Sequence, residues 1–304
     1  MIHSSSSSST FHLLSIFNKI SNPKFPSISD SSHQTTINTN PNSLHTKSSL
    51  CSCGRRHFIG ASGSAFLLPI TQSNASALPP DPKDMLKRVY PPRPDWYEEF
   101  FAQAMETSMK TYEKEITDYK VNLFNKMRGR RNVLELGIGT GPNLTYYARD
   151  ADVYVFGVDP NKSMEKYTKA AVAAAGLASD HFTFLEGVGE ALPVGDGSMD
   201  AVIGTLVLCS VKDVKLALQE VKRVLKPGGL YIFIEHVAAK DGTTLRFIQN
   251  ALDPLQQLVS DGCHLTRETG TYISQAGFHD IEMNTTFVSN ASLIGPHVYG
   301  IASK

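Results

Sequence analysis

Three glycines and a carboxylate stand close together after a short apolar run near the middle of the chain. Residues 133–141 read VLELGIGTG, which places Glu135 just before Gly137, Gly139 and Gly141. Glycine permits a tight turn and lets a ligand approach the backbone. Because Val133–Leu136 has the composition of a buried strand, the segment predicts a ligand-binding loop at a strand's carboxyl end. An ordinary turn is the alternative for this loop taken alone.

A second carboxylate, Asp159, ends the next apolar run. It lies roughly 20 residues past the glycine loop, where an acidic side chain can accept the two hydroxyls of a ribose. The dinucleotide pattern G-x-G-x-x-G would require glycine at position 142, where the chain has Pro142. The loop and Asp159 therefore predict a ligand that contains a ribose, and Pro142 counts against a nicotinamide cofactor.

Short β-rich runs alternate with helical runs around these residues. Alternation of this kind predicts a mostly parallel sheet with helices on both faces, whose ligands bind beyond the carboxyl ends of the strands. The predicted fold class is therefore α/β, a Rossmann-like seven-stranded sheet preceded by an N-terminal helical segment. The predicted strands are 133–136, 153–158, 182–185, 201–205, 230–235, 281–286 and 297–301, and the predicted helices are 163–175, 211–225 and 243–258.

Proline-fixed segments precede this domain. Leu78–Pro82 and Tyr90–Pro94 cannot be helix interior, so we expect order to begin after them. Residues 96–127 then carry apolar side chains at the spacing of one or two amphipathic helices. We predict a proline-rich linker and helical lid over 78–130.

The first 77 residues have the composition of a targeting sequence. Met1–Leu50 is rich in Ser, Thr and Asn and has a single acidic residue, Asp30, as in organelle transit peptides. The twin arginines 55–56 then precede an apolar run and the A-x-A site at 75–77. That run is about 13 residues long, too short for a spanning helix of about 20. We predict a chloroplast protein, with the thylakoid as a second destination and 1–77 removed or disordered; an ordinary tail is the alternative.

Composition restricts the partners and the metal chemistry. Lys plus Arg equals Asp plus Glu at 29 each, so no basic field points to a nucleic-acid partner. Cys51 and Cys53 lie in the leader, which leaves Cys209 and Cys263 to the remaining chain. That number predicts neither a disulfide framework nor a zinc cluster, and no metal is expected. Both cysteines are expected to be buried.

The glycine loop, with the pattern E-x-G-x-G-x-G, resembles motif I of class I S-adenosylmethionine-dependent methyltransferases. Gly189–Pro193 resembles the loop beside adenine in those enzymes, and Lys226–Gly229 resembles their helix stop. The resemblance implies S-adenosyl-L-methionine as cofactor and a methyltransferase domain at 131–304. Glu190 would bond the adenine or a backbone amide, and a solvent-facing carboxylate is the alternative. The implied cofactor-binding residues are Glu135, Gly137, Gly139, Gly141, Asp159, Glu190 and Leu206.

Further segments resemble the methyltransferase-like family of alkyl thiol S-methyltransferases. The resemblance implies in-line transfer of a methyl group to the thiolate of a small-molecule acceptor. Animal members resemble membrane-anchored proteins with an N-terminal hydrophobic helix, whereas this chain has a plastid-type extension. Peripheral membrane association and the oligomeric state are therefore left open. The matching segments are Gly204–Val211, Leu218–Gly229, Glu235–Ala238, Ser260–Thr269 and Gly295–Gly300.

Three residues are candidates for a catalytic base. Asp261 and His264 lie in the family-like loop, and His236 follows the fifth predicted strand. Neither Asp261 nor His264 is expected near the glycine loop. Each has a structural alternative: a turn cap for Asp261, a hydrogen-bonding role for His264 and packing at the strand end for His236. A thiol with a pKa near about 8.5 is partly ionised at neutral pH, so a strong base is not required.

Two other functions are compatible with the same cofactor motifs. A quinone- or phenol-type C- or O-methyltransferase of plastid metabolism would share motif I, the Asp-Pro after the second strand and the Pro-Gly-Gly run. A non-catalytic S-adenosylmethionine-binding protein would keep the fold as well. Ser260–Thr269 and Gly295–Gly300 favour the thiol family over the quinone type.

Overall fold

A seven-stranded sheet organises residues 81–304, the part of the chain that this computed structural model describes. The strands are β1 (Asn132–Leu136), β2 (Tyr154–Asp159), β3 (Phe182–Glu186), β4 (Met199–Thr205), β5 (Leu225–His236), β6 (Asp280–Phe287) and β7 (Pro296–Ser303). They lie in the order β3-β2-β1-β4-β5-β7-β6. Strands β1 to β5 pair in parallel, and β7 runs antiparallel to both of its neighbours. The predicted Rossmann-like, mostly parallel sheet is confirmed.

Helices cover the sheet and precede it. The α-helices are α1 (Pro82–Val89), α2 (Asp95–Ser108), α3 (Lys110–Asn125), α4 (Leu144–Tyr147), α5 (Met164–Ala175), α6 (Val214–Val224), α7 (Thr244–Val259) and α8 (Thr269–Gln275), and short 3-10 helices lie at Ser179–His181 and Ser289–Ile294. Helices α2 and α3 fulfil the expectation of one or two helices over 96–127.

Side chains of the central strands alternate between two cores. In β5, Tyr231 and Phe233 join the core formed with α6 and α8, whereas Ile232 and Ile234 join the core formed with α3, α4 and α5. Successive strand residues point to opposite faces, so helices are needed on both sides of the sheet. The sheet is therefore buried on both faces around β1, β4 and β5.

Helix α1 corrects the expectation that order begins after the second proline segment. Pro82 occupies the first turn of the helix, where its missing N–H and fixed φ are tolerated. The Asp81 carboxylate caps the helix by accepting from the amides of Lys83 and Asp84 at 2.9 and 3.2 Å. Met85 is buried against the loop that follows β3. The proline that we took to exclude a helix therefore begins one.

Strand β5 begins at Leu225 rather than at the predicted residue 230. Helix α6 ends at Val224, and the run 226–229 belongs to β5 but interrupts its pairing with β4, since Gly228 takes a φ of 72°. Its glycines bond to the chain's last residue, since Gly228 N donates to Lys304 O and Lys304 N donates to Gly229 O, each at 3.0 Å. These bonds keep the Pro-Gly-Gly run in the sheet. At its other end α6 begins at Val214 instead of 211.

The leader predictions for residues 1–77 lie outside the described residues. The described residues themselves belong to one compact unit, so α1, α2 and α3 join the sheet domain. Within residues 81–304, every helix falls short of the length and apolar character that a membrane crossing requires.

Candidate active site

The glycine loop turns sharply between β1 and α4. Gly137, Gly139 and Gly141 all have positive φ, at 65°, 54° and 84°. A Cβ atom on Gly137 would lie 2.6 Å from a methyl group of Val207, so a side chain cannot be accommodated there. A Cβ atom on Gly139 would meet nothing nearer than 4.0 Å. The loop is thus packed against the protein at Gly137 and open toward a ligand at Gly139.

Asp159 is bonded to this loop. Its Oδ2 accepts from Gly139 N and its Oδ1 accepts from Asn161 N, both at 2.9 Å. The side chain is only 7% exposed, and burial raises its pKa to about 7. A carboxylate has about four acceptor positions, so two remain for ribose hydroxyls. The structure brings Asp159 and the loop together as predicted, and ribose contact stays a prediction.

Glu135 lies beneath the loop. Its oxygens accept from Asn143 Nδ2 at 2.8 Å and from the Tyr147 hydroxyl at 2.5 Å. Burial raises the pKa of this carboxyl group to about 7. Both partners belong to α4 and its N-terminal cap. In the structure Glu135 joins β1 to the helix after the glycine loop, and a direct contact with the cofactor stays a prediction.

Glu190 and Leu206 lie in the loops that follow β3 and β4, respectively. The Glu190 carboxylate accepts from the amides of Lys212 and Asp213 at 2.6 and 3.0 Å, just before α6. It is 2% exposed, so the solvent-facing alternative is wrong and the backbone-amide alternative is observed. Leu206 has a φ of 52°, and its amide donates to Ile234 O at 2.9 Å. An adenine contact of Glu190 stays a prediction.

The segment before and within α2 lies beside Asp159. Asn161 Nδ2 donates to Glu98 O at 2.9 Å, and Arg93 forms an ion pair with Asp261. The Arg93 guanidinium lies 4.4 Å from the ring centroid of Tyr90. Burial, and after it the Asp261 charge, raises the pKa of Tyr90 above its usual value. These contacts place the segment beside Asp159, and the lid role that we predicted for 78–130 stays a prediction.

Asp261 lies nearer to the cofactor residues than we expected. Burial raises the pKa of Asp159, and its two backbone hydrogen bonds lower it. The next largest influence is the charge of Asp261, which raises this pKa. Our expectation that Asp261 would be remote from the glycine loop is therefore wrong. The reason is the turn after α7, in which Asp261 (φ 51°) and Gly262 (φ 82°) both take left-handed backbone conformations.

The three candidate bases contact different partners. His236 is 1% exposed, with Nε2 3.1 Å from Cys263 Sγ. His264 Nδ1 lies 3.5 Å from Asp253 Oδ2, and its pKa is lowered by burial and then by the Arg267 charge. Asp261 is paired with Arg93. The three residues therefore have different hydrogen-bonding or charged partners, and their catalytic roles stay predictions.

One buried polar residue of the site was not singled out from the sequence. Glu235 is fully buried at the end of β5, where Oε1 accepts from the amides of Val207 and Leu208 at 3.2 and 3.1 Å. Burial raises the pKa of Glu235 to about 8. Its place at the carboxyl end of a central strand was the available signal.

Cys209 and Cys263 are buried, as expected, and both are free thiols that converge on His236.

The comparisons with known proteins agree with this geometry. Residues 134–233 match the Methyltransferase domain family. The fold is similar to that of a chain in the complex of the Haloferax volcanii Trm112 methyltransferase activator with a methyltransferase (TM-score 0.53, 18% identity, covering 70% of this chain and 99% of that one). It is also similar to an O-methyltransferase family protein from Burkholderia thailandensis (TM-score 0.53, 14% identity, 67% of this chain and 59% of that one). The protein is an S-adenosylmethionine-dependent methyltransferase that acts on a small molecule.

Curated relatives identify the family. Human thiol S-methyltransferase TMT1A is 37% identical over 204 residues, which cover 64% of this chain and 81% of the relative. Rat thiol S-methyltransferase TMT1B is 38% identical over 214 residues, covering 67% of this chain and 86% of the relative. The chain belongs to this TMT1 family of thiol S-methyltransferases. Quinone enzymes are more distant: the demethylmenaquinone methyltransferase of Renibacterium salmoninarum aligns over 115 residues, which cover 45% of that relative.

The residues present fit S-adenosylmethionine. The open face at Gly139 leaves room for the ligand at the backbone, and Asp159 offers the acceptor positions that a ribose requires. Asp261 and Glu98 add two carboxylates near Asp159, as their effect on its pKa shows. The Asp261 charge is balanced by Arg93, so the fit to the donor rests on Gly139 and Asp159.

Proposed function

We propose that the acceptor of this methyltransferase is a small alkyl thiol. The observation that carries the proposal is the length of the match to the TMT1 enzymes. It extends over 204 to 214 residues, whereas the general methyltransferase domain occupies residues 134–233. The similarity therefore reaches beyond the cofactor-binding part of the fold, while the aligned stretch of the quinone enzyme is close to the domain in length.

The chain's own residues would bind and orient the reactants. Bound S-adenosylmethionine supplies an electrophilic methyl group. Asp159 would hold the ribose, and the Arg93–Asp261 pair would hold the segment before α2 beside it. Methyl transfer to a thiolate requires mainly alignment and exclusion of water. A thiol that ionises near pH 8.5 can react without a strong base, at a rate that rises with pH up to about that value.

Product analysis tests the acceptor. The purified full chain would be incubated with methyl-labelled donor and one of three acceptors: an alkyl thiol, a phenol or a prenylated quinone. We expect a methyl thioether from the thiol and little product from the other two. The Asp159→Ala variant serves as the control for donor-dependent transfer. Methylation of the quinone with no thioether from any thiol would refute the proposal.

We propose also that the protein acts in the chloroplast, with the thylakoid as a further destination. The support is the acid-poor, Ser-rich segment Met1–Leu50 followed by twin arginines and an A-x-A site. A fluorescent fusion to the full chain, expressed in plant cells, should coincide with chlorophyll. The same fusion lacking residues 1–77 should remain outside the organelle.

Peripheral association with the membrane is a further proposal, supported by apolar side chains that α7 leaves exposed. Phe247 and Leu258 are each 74% exposed and Val259 is 57% exposed. Exposed apolar side chains on a helix can insert into the boundary of a lipid bilayer. Co-sedimentation with vesicles of thylakoid lipids should therefore decrease in a Phe247→Ser/Leu258→Ser variant. Absence of vesicle binding by the wild-type chain would exclude this proposal.

A further inference from the structure

Two cysteines and a histidine converge at the carboxyl edge of the sheet. Cys209 lies in the loop after β4, His236 is the last residue of β5, and Cys263 follows the turn after α7. Their side chains offer ligand atoms that lie within 4.8 Å of one another. All three residues are buried, at 2%, 1% and 8% exposure. Three segments distant in sequence thus bring together donors that transition metals prefer.

Strand pairing positions two of the three ligands. β4 and β5 are neighbouring parallel strands, and Thr205, the last residue of β4, pairs with Ile234 near the end of β5. Parallel neighbours bring their carboxyl ends to the same edge of the sheet. The topology therefore places Cys209 and His236 close together at that edge.

The turn after α7 brings in the third ligand. Asp261, a non-glycine residue, is held at a φ of 51°, in the left-handed region that favours glycine. Gly262 N donates to Gln257 O at 2.9 Å and Cys263 N donates to Ser260 O at 3.0 Å, so the turn closes on the end of the helix. The strained turn directs Cys263 back toward the strand ends, where its Sγ lies 3.1 Å from His236 Nε2.

Surrounding residues hold the two cysteine loops together. His264 N donates to Cys209 O at 3.0 Å, which joins the Cys263 loop to the Cys209 loop. Arg267 Nη1 donates to the carbonyls of Leu208, Cys209 and Val211 at 2.6, 2.8 and 2.8 Å. Outer contacts of this kind fix the geometry of metal ligands.

The donor set selects the class of metal. Thiolates and imidazole suit zinc and copper, whereas magnesium and calcium require oxygen ligands. Tetrahedral zinc, with bonds of about 2.3 Å to sulfur and 2.0–2.1 Å to nitrogen, has donors about 3.5–3.8 Å apart. Shifts of about 1 Å or less would bring these donors to that spacing. Two thiolates would also neutralise a divalent cation, which lowers the free energy of burying it.

We propose that Cys209, His236 and Cys263 bind one zinc-type divalent cation, whose fourth coordination position takes the thiolate of the acceptor. Three protein ligands with one exchangeable position are the pattern of catalytic zinc sites. Binding of the thiol there would release its proton to solvent. The sulfur lone pair would then form the S–CH3 bond as the bond between the methyl group and the donor sulfonium breaks, which leaves a neutral thioether and S-adenosylhomocysteine. The acceptor part of this inference rests on the proposed function. The expectation of no zinc site considered only the number of cysteines, since their convergence with His236 depends on the fold.

Metal content tests the site without turnover. The full chain would carry Cys51→Ser and Cys53→Ser, which removes the leader cysteines as ligands, and would be purified with a phosphine reductant. After zinc loading and dialysis, elemental analysis should find about one zinc per chain. Cys209→Ser, Cys263→Ser and His236→Asn should each reduce that content at least about tenfold. The exposed His279→Asn variant should retain it, and circular dichroism would identify variants that fail to fold.

Cobalt substitution provides a second measurement that needs no ligand variant. The cobalt form should show thiolate-to-metal charge-transfer absorption and intense tetrahedral visible bands. Adding an alkyl thiol without donor should shift those bands, whereas an alcohol of the same chain length should not. Retention of less than about a tenth of an equivalent of zinc, or cobalt binding without the charge-transfer band, would overturn the proposed site. Cobalt bands that thiols leave unchanged would overturn the acceptor coordination.

The outcome is separable from that of the proposed function. A chain that forms thioethers without binding zinc would retain the proposed function and refute the metal site. A chain that binds zinc and thiols but methylates only a phenol or quinone would retain the metal site and refute the proposed function.

Discussion

Asp159 holds the glycine loop through Gly139 and still has acceptor positions to offer a ligand. Each of its oxygens accepts one backbone amide at 2.9 Å, so the carboxylate is already oriented before a ribose arrives. Preorientation of this kind reduces the entropy that binding would otherwise lose. The same residue therefore belongs both to the architecture of the loop and to its ligand chemistry.

Replacing Asp159 with Ala should weaken donor binding. A hydrogen bond to a charged group contributes about 1.5–3 kcal/mol, which corresponds to roughly a 10- to 150-fold increase in the dissociation constant. Calorimetric titration with the donor measures the change. Asp180→Ala, at an exposed residue of the 3-10 helix before β3, is the matched control and should bind normally. Equal affinity in Asp159→Ala and wild type would remove Asp159 from the cofactor site.

Donor affinity should also depend on pH through Asp159. Burial raises its pKa to about 7, so the free protein is increasingly protonated as the pH falls below that value. The ionised carboxylate is the form that accepts both ribose hydroxyls. The apparent affinity should therefore fall by up to about tenfold per pH unit below the pKa and level off above it.

Two variants assign that pH dependence. Asp159→Asn should bind weakly and lose this dependence. Glu135→Gln should keep it, because Glu135 also has a pKa of about 7 but is bonded to Asn143 and Tyr147 beneath the loop. Loss of the pH dependence in Glu135→Gln, together with its retention in Asp159→Asn, would show that Glu135 rather than Asp159 titrates.

At the level of elements, Glu190 links the loop after β3 to the start of α6. The carboxylate accepts from two backbone amides just before the helix begins. Glu190→Ala leaves both amides without that acceptor and should lower the free energy of unfolding by about 1–3 kcal/mol. Chemical denaturation measures it. Glu190→Gln keeps an amide oxygen and should lose less. Glu165→Ala, which removes the i,i+4 pair with Lys169 on α5, should change stability by less than about 0.5 kcal/mol.

Full stability of Glu190→Ala together with a large loss of donor affinity would contradict this structural role. It would instead favour the adenine contact that the family resemblance implies.

The Arg93–Asp261 pair joins the segment before α2 to the turn after α7. If the pair holds that segment beside Asp159, Arg93→Gln and Asp261→Asn should each raise the donor dissociation constant severalfold. The double variant should be no worse than the single ones, because residues that act as a pair are not additive. Lys166→Gln, which breaks the exposed pair between α5 and Glu99 of α2, is the control and should have little effect. Additive losses would show that the two residues act separately.

Local pattern predicted much of the fold, because the strands and helices around the sheet carry their own periodicity. Asp159 and the glycines were predictable for the same reason, since strand, loop and next strand are consecutive in sequence. Helix α1 was missed because Pro82 was interpreted as a helix breaker rather than as a first-turn residue. The approach of Asp261 to Asp159, and of Cys209 to Cys263, depends on how distant loops pack. No local period encodes such contacts.

At the scale of the whole molecule, the methyltransferase domain is preceded by residues 1–77, whose composition we interpret as a targeting sequence. The twin arginines 55–56 precede an apolar run of about 13 residues, a length typical of a signal and too short to span a bilayer. We therefore predict two consecutive targeting signals within residues 1–77.

Replacing Arg55 and Arg56 with Lys should separate the two signals. Charge is conserved, so import into the chloroplast should continue, whereas a twin-arginine pathway that reads the guanidinium pair should fail. Fractionation of isolated chloroplasts after import, with protease protection of the thylakoids, measures the distribution. The wild-type chain should reach the protease-protected thylakoid fraction and the Arg55→Lys/Arg56→Lys variant should accumulate in the stroma. A Lys47→Arg variant, which alters a basic residue before the twin arginines, is the control and should distribute like wild type. A wild-type chain that stays entirely in the stroma would refute the second signal and leave chloroplast import intact.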